Sequence, residues 1–258
     1  MKWKISLLPL FAALLSGALL ESLYRYPKNF WFLISAALVL VFFALWKINT
    51  LPFFLKFAGK RFWYMALPLL MFVAGIIVFS VFLENSKYVH VCALIVTLLV
   101  YVYLSYIMVY FRQPLFYEDA TLQNLILLLN TANFFLLTTD FLAAHLLLQI
   151  PFFSLFFLYI GVVYLLISPV FWIMRFDQVK SFVYSLVILM CFAQLFWAMR
   201  FLPLNYTIAS FCITVLFHLA LNLSIFWIRD EWEFKVVRKY IIIGMVLFVS
   251  VFGTAQWR

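Results

Sequence analysis

A stripe of polar side chains within an apolar run is the part of this sequence best suited to chemistry. It consists of Thr207, Ser210, Thr214, His218 and Asn222, which follow one another at spacings of three or four residues. On an α-helix, that spacing places all five within one face of about 120°. The stripe could line a polar cavity, or it could be a seam of hydrogen bonds to neighbouring helices. The sequence leaves both interpretations open.

A second apolar run, residues 121–139, carries a further row of polar side chains. Asn124, Thr131 and Thr138 repeat every seven residues along one face of the predicted helix. Because polar groups in hydrocarbon need partners, we expect this run to pack against the run that contains His218. Asn124 and Thr131 are therefore candidate site residues together with the stripe.

Sequence motifs for other chemistry are missing. The chain contains no HExxH, no GxSxG, no Walker loop and no glycine-rich phosphate cradle. Its three cysteines lie in separate apolar runs and form no CxxC. We therefore expect no metal, no cofactor and no disulfide framework. The cations are scattered between apolar runs, which argues against a nucleic-acid partner.

Two short patterns resemble the last two motifs of the CPBP-type intramembrane endopeptidases, FxxxH and HxxxN. They are Phe141–His145 (FLAAH) and His218–Asn222 (HLALN). The resemblance implies a carboxylate that activates water and histidine or amide groups that stabilise an oxyanion. The family's paired-glutamate motif is not matched, because Glu118 is followed by Asp119 and no arginine follows at the required spacing. A second acid, Glu21 with Arg25, lies far away in sequence and on the opposite side of the predicted membrane.

Composition decides the class of protein. Of 258 residues, 69% are hydrophobic and only 10% are charged, against about 25% charged in a soluble domain. A water-soluble protein is excluded, since only a bilayer can solvate so much apolar surface. We expect one integral-membrane, all-α domain over residues 1–258, with the lipid bilayer as its main partner.

Apolar runs bounded by charges or proline predict nine membrane-spanning helices. They cover residues 5–23, 29–46, 62–82, 88–111, 121–139, 151–174, 181–199, 206–228 and 240–256. The first run would leave eight helices if it were a cleaved signal peptide, because Ser16-Gly17-Ala18 could serve as a cleavage site. We favour a retained first helix. Asp140, His145, Gln149 and Pro151 are taken as the break between the fifth and sixth spans, with Thr138 or Asp140 as the cap of a short helix.

The distribution of basic residues predicts the orientation of these spans. Thirteen of the 18 lysines and arginines fall on the side of the N-terminus and five on the opposite side. Basic residues favour the cytoplasmic side of a membrane protein. We therefore expect a cytoplasmic N-terminus and an external C-terminus.

The C-terminal half resembles an uncharacterised bacterial family of multi-pass membrane proteins, known only as a domain of unknown function. The resemblance lies in residues 201–223 (FLPLNYTIASFCITVLFHLALNL), in 234–249 (FKVVRKYIIIGMVLFV) and in Gln256-Trp257, and covers about 115–257. It implies a multi-pass protein of the bacterial plasma (inner) membrane with no assigned activity. The related pattern tends to have an aromatic or aliphatic residue where this chain has His218, which argues against a shared catalytic histidine.

These observations support three hypotheses. The first is a non-enzymatic structural, assembly or partner-binding membrane component, with a protein partner or a second copy of the chain. It follows from the scarcity of soluble mass and of catalytic motifs. The second is a small-solute or lipid transporter with a polar cavity between the fifth and eighth spans. The third is the endopeptidase.

Overall fold

The computed structural model describes residues 7–49, 58–83, 85–112, 119–174, 176–202, 204–229 and 234–254. These residues form nine α-helices and one 3₁₀ turn, and contain no β-strand. The helices are α1 Leu8–Arg25, α2 Phe30–Asn49, α3 Ala58–Val81, α4 Ser86–Arg112, α5 Asp119–Leu148, α6 Phe152–Ile173, α7 Gln178–Met199, α8 Tyr206–Ile228 and α9 Phe234–Thr254. The 3₁₀ turn, Pro27–Asn29, joins α1 to α2.

Eight of these helices, α1 to α8, are long and apolar enough to cross a bilayer, with candidate spans of 18 to 28 residues. The predicted all-α, polytopic architecture is therefore confirmed. The predicted ninth span corresponds to α9 and the residues that follow it. It stays a prediction, because part of 240–256 lies outside the described residues.

The chain divides into two compact units, Met1–Leu129 and Asn130–Arg258. In the first unit, α1 packs on α4 and on α2, and α3 packs on α2 and α4. In the second unit, α7 packs on α6 and α8, and α9 packs on α8. The single-domain expectation stays a prediction.

The boundary between the fifth and sixth spans was misplaced by the sequence interpretation. Helix α5 runs through Asp140 without interruption and ends nine residues beyond the predicted end, at Leu148. The reason is local, since the residues after Asp140 are mostly leucine and alanine, which favour the helix. Asp140 is therefore an interior helix residue and not a cap.

A left-handed residue, Gln149, ends α5. Its φ of 54° turns the chain, and the N–H of Ile150 donates to the Ala144 carbonyl six residues back, at 3.4 Å. A left-handed residue directly after the last helical residue is a common helix ending, and here the following N–H returns to a carbonyl near the end of α5. The Nδ1 of His145 lies 3.0 Å from the Ile150 carbonyl, to which it donates, and Pro151 then begins the next helix. The predicted break is thus confined to three residues.

Helices α1 and α4 are in close contact at Gly17. A Cβ atom at Gly17 would collide with the Thr97 side chain and lie 3.2 Å from the Ala93 carbonyl oxygen. The Thr97 hydroxyl is held by a 2.8 Å hydrogen bond to the same carbonyl. Only glycine fits this contact, as is common where membrane helices pack on small residues.

A proline within α3 is accompanied by a hydrogen bond from α4. Pro68 is buried and lacks the N–H that would bond the carbonyl of Tyr64, four residues earlier. The hydroxyl of buried Tyr103 donates to the neighbouring carbonyl, that of Met65, at 2.6 Å. The hydroxyl therefore ties α4 to the backbone of α3 close to its proline.

The core of the second unit is aromatic. Phe134 of α5 stacks on Phe217 of α8 with ring centroids 3.9 Å apart, and Phe192 of α7 packs edge-on against both rings. On α6, Tyr159 stacks on Phe196 of α7 at 4.0 Å. Aromatic pairs of this kind contribute about 0.5–1.5 kcal/mol beyond the area they bury. They hold α5 against α6, α7 and α8.

Candidate functional site

The first three residues of the predicted α8 stripe are hydrogen-bonded within their own helix. The N-cap residue Asn205 accepts a hydrogen bond from the N–H of Thr207 at 3.1 Å. The hydroxyls of Ser210 and Thr214 each donate to the backbone carbonyl four residues earlier, at 2.7 Å. Ser210 and Thr214 are buried. Each hydroxyl therefore donates its hydrogen to the backbone of α8 and has none left to donate to another group.

His218 links the other residues of the stripe to α5. The Thr131 hydroxyl lies 3.1 Å from His218 Nδ1, and the Asn222 amide nitrogen lies 3.2 Å from Nε2. The amide also donates to the His218 carbonyl at 2.7 Å. Since an amide N–H can only donate, Nε2 accepts, and the ring proton is assigned to Nδ1, which donates to Thr131. The imidazole is a neutral bridge between α5 and α8.

The second α5 candidate, Asn124, is placed elsewhere. Its side chain is exposed, and it belongs to the first unit, whereas Thr131 belongs to the second. The predicted contact between the fifth and eighth spans therefore forms between Thr131 and His218. One turn away, Phe134 stacks on Phe217.

A different face of α5 carries three buried polar residues that we call the Asn130–Asp140 face: Asn130, Asn133 and Asp140. At 100° per residue they fall within about 80° of one another, and Asp140 lies about 180° from Thr131. Asn130 and Asn133 have no exposed surface and Asp140 is 6% exposed. Both side-chain polar atoms of Asn130 and both carboxylate oxygens of Asp140 lack a hydrogen-bond partner among the described residues.

Sequence reasoning missed this face for an identifiable reason. An acid that follows two threonines near the end of a polar stretch is typical of a helix N-cap, so Asp140 was assigned to a break between spans. The useful signal was the spacing of Asn130, Asn133 and Asp140, which places them on one face if the helix continues.

The two histidines of the endopeptidase-like patterns are not brought together. His145 lies at the end of α5 against the Ile150 carbonyl, whereas His218 contacts α5 at Thr131. Fourteen residues of helix separate Thr131 from His145, which is about 21 Å along the axis. Of the two acids that could complete the site, Glu21 is paired with His90 in the first unit, and Glu118 lies outside the described residues.

Within the described residues, no group of three or more His, Cys, Asp or Glu side chains is arranged to hold a metal ion. No family model, no curated protein and no solved structure matches this chain. The resemblance to a bacterial family of unknown function stays a prediction. The candidate site rests on the geometry of α5 and α8 alone.

Proposed function

We propose that the protein transports a small polar solute or cation across the membrane, and that the Asn130–Asp140 face of α5 forms part of the path. The observation that carries the proposal is Asp140. It is a carboxylic acid inside a 28-residue apolar span, 6% exposed, and its two oxygens have no hydrogen-bond partner among the described residues.

The energetic argument concerns what such a residue costs. A polar group buried without a hydrogen bond is unfavourable by roughly 2–7 kcal/mol, and a charge by more. Ionisable residues inside membrane spans accordingly mark ion and substrate paths in many membrane proteins. Of the eight candidate spans, that of α5 has the largest buried share, 67%. Its polar face is therefore shielded from lipid, as a transport path requires.

The chemistry of the face limits what it could bind. Asp140 supplies two acceptor oxygens, and Asn130, about 15 Å further along the helix axis, supplies one acceptor and two donor hydrogens. This set suits a proton, a monovalent cation or a small solute rich in hydroxyl or amino groups. It does not suit an anion at Asp140, since the carboxylate would repel it.

Cysteine accessibility tests the proposal without knowledge of the solute. Cys92, Cys191 and Cys212 are replaced by alanine, and Asp140→Cys and Asn130→Cys are introduced singly. A small, cationic, water-soluble thiol reagent is then applied to the full chain in liposomes. We expect both cysteines to react, because water must reach this buried face during transport and allows the thiolate to form.

Two control positions define the background of this labelling. Leu128→Cys lies on α5 but is exposed, and Ile213→Cys is fully buried in α8. Neither lies on the Asn130–Asp140 face, so both should stay unlabelled in a lipid or packed environment. If Asp140→Cys is as unreactive as Ile213→Cys, the face is dry and the proposal is wrong.

The second candidate function is a non-enzymatic structural, assembly or partner-binding component of the membrane. It is favoured by the α8 stripe, whose described side-chain hydrogen bonds go to its own helix and to Thr131. A stripe saturated in this way supports a helix seam more than a cavity between α5 and α8. Assignment to the bacterial inner membrane remains a prediction under either candidate.

The seam is tested by a double-mutant cycle on its central hydrogen bond. Thr131→Val, His218→Phe and the double variant are compared by unfolding of the full chain in detergent. A seam predicts a coupling energy of about 0.6–1.7 kcal/mol between the two residues. Thr97→Val with His218→Phe is the control pair, since Thr97 bonds only to its own helix in the described contacts. A coupling of zero for Thr131 and His218 would contradict the seam.

A further inference from the structure

An open, largely apolar groove of about 710 Å³ runs between α1 and α4 in the first unit. Leu10 and Ala18 of α1 and Leu94, Leu98 and Tyr101 of α4 line it, and all five are exposed. Its floor is formed where Gly17 brings the two helices together. The groove is therefore a furrow in the outer surface of the helix pair.

The groove begins at two polar side chains within hydrogen-bonding distance of each other. Glu21 Oε1 and His90 Nδ1 are 2.8 Å apart, and both side chains remain partly exposed. Both residues line the groove. The groove is therefore polar at one end and apolar along the rest of its length.

Two exposed cations flank this polar end. The helices run antiparallel, because Gly17 meets Thr97 and Glu21 meets His90. Arg25 follows Glu21 by one turn of α1, and Lys87 precedes His90 by about one turn of α4. Both lie at the same end of the groove and are exposed. Among the described residues of α1 and α4 at this end, two cations stand against the one carboxylate of Glu21, so this end of the helix pair is positively charged.

Exposed tyrosines indicate the depth of this end in the membrane. Tyr24, Tyr26 and Tyr88 are each more than half exposed, and Tyr24 packs edge-on against His90. Tyrosine is enriched at the level of the lipid headgroups. The charged end of the groove therefore lies at headgroup depth.

The length of the groove matches one leaflet. Eleven residues separate Leu10 from Glu21 on α1, and eleven separate His90 from Tyr101 on α4, which is about 16 Å along each axis. Half of the hydrocarbon thickness of a bilayer is about 15 Å. An acyl chain that starts at headgroup depth would follow the groove to the middle of the membrane.

We propose that this groove is a binding site for one anionic phospholipid, with an acyl chain between α1 and α4 and its phosphate against Arg25 and Lys87. The apolar walls bind the chain by removing it from the fluid lipid, and the two cations select a negatively charged headgroup. The site lies in the first unit and is independent of the transport path proposed for α5.

Native mass spectrometry of the full chain in detergent tests the site. The protein is titrated with phosphatidylglycerol or with phosphatidylcholine that has the same acyl chains. We expect one phosphatidylglycerol to bind more tightly than one phosphatidylcholine. Arg25→Gln with Lys87→Gln should weaken phosphatidylglycerol binding by about 30-fold, the factor for losing two cations near the membrane surface.

A second variant and a control separate the site from general lipid contact. Ala18→Phe fills the exposed groove and should abolish tight binding of either lipid. Lys180→Gln with Lys239→Gln removes two exposed cations from the second unit and should leave binding unchanged. Thermal unfolding of each variant confirms that it is folded.

Several results would overturn the proposal. These are equal affinity for the two lipids, unchanged binding after Ala18→Phe, or an equal loss in the Lys180 and Lys239 control. A dimer that excludes lipid and dissociates with Ala18→Phe would also overturn it, because a second copy would then occupy the groove.

Discussion

His145 and His218 both form hydrogen bonds through their ring nitrogens inside the protein. His145 holds the turn after α5, and His218 links α8 to α5. His145 donates from Nδ1 to the Ile150 carbonyl, beyond the end of α5. His218 uses both nitrogens, one toward Thr131 and one toward Asn222. An imidazole bound in this way is a bridge, and neither histidine has a carboxylate beside it within the described contacts.

Gln149 occupies a conformation that favours glycine. Its φ of 54° lies in the left-handed region, where a side chain costs about 1–2 kcal/mol. We predict that Gln149→Gly raises the free energy of unfolding by about 1 kcal/mol, because the left-handed turn at the end of α5 is then free of that cost. Reversible unfolding of the full chain in detergent measures the change.

The same substitution in a helix serves as the control for Gln149. Gln194 is exposed and lies away from both ends of α7. Gln194→Gly should lower the free energy of unfolding by about 1 kcal/mol. A loss of stability in Gln149→Gly as large as that in Gln194→Gly would show that the turn at residues 149–151 does not need a left-handed residue.

At the scale of helices, α1 and α4 depend on a single small residue. We predict that Gly17→Ala lowers the free energy of unfolding by about 1–3 kcal/mol, because the new methyl group meets the Thr97 side chain and forces the helices apart. Thermal unfolding in detergent measures the loss. Ala12→Gly is the reverse substitution at a buried position of the same helix. It measures how much an alanine-to-glycine difference in helix propensity contributes to stability.

A compensating variant identifies the cause of the Gly17 effect. Thr97→Ala removes the hydroxyl that the added methyl group would meet and leaves the Thr97 Cβ at 3.4 Å. Gly17→Ala with Thr97→Ala should therefore recover part of the lost stability. If the double variant is no more stable than the sum of the single losses predicts, the collision is not the cause.

The helices were largely predictable from the sequence because hydrophobic runs of about 20 residues have few alternatives in a membrane. The eighth run was predicted at 206–228, where α8 lies, and the sixth differs from α6 by one residue at each end. The exception, the end of α5, followed from reading Asp140 as a cap. A single acid is a weak stop signal when the residues on both sides favour helix.

The candidate site was predictable only in part. The stripe on α8 and its contact with Thr131 follow from residue spacing, and Thr131 lies beside His218 as expected. The Asn130–Asp140 face does not follow, because α5 carries polar side chains on more than one face and its sequence gives no dominant apolar face to orient it. Which polar side chains are buried depends on the packing of helices distant in sequence.

For the whole molecule, the orientation in the membrane rests on the basic residues. The excess of lysine and arginine on the N-terminal side predicts that the loop before α7 lies in the cytoplasm and the loop after it lies outside. We predict that, with the natural cysteines replaced, Phe201→Cys is labelled from outside intact cells by an impermeant thiol reagent. Gln178→Cys should be labelled only after the cells are permeabilised.

Asn205→Cys provides a second external position for the same labelling. Like Phe201, it lies in the loop between α7 and α8, and it is exposed. If Gln178→Cys and Phe201→Cys are labelled from one side, α7 does not cross the membrane in the predicted manner. Labelling of Gln178→Cys alone from outside would invert the whole arrangement.

The hydrogen bond from Tyr103 to Met65 has a consequence for how the chain is made. Because synthesis proceeds from the N-terminus, α3 with its buried Pro68 emerges before α4 and its Tyr103 hydroxyl. The hydrogen bond between Tyr103 and the Met65 carbonyl can therefore form only after α4 lies beside α3. The two helices are therefore expected to insert as a hairpin. A chain truncated between them would leave α3 without its contacts to α4, and we expect cellular quality control to degrade it.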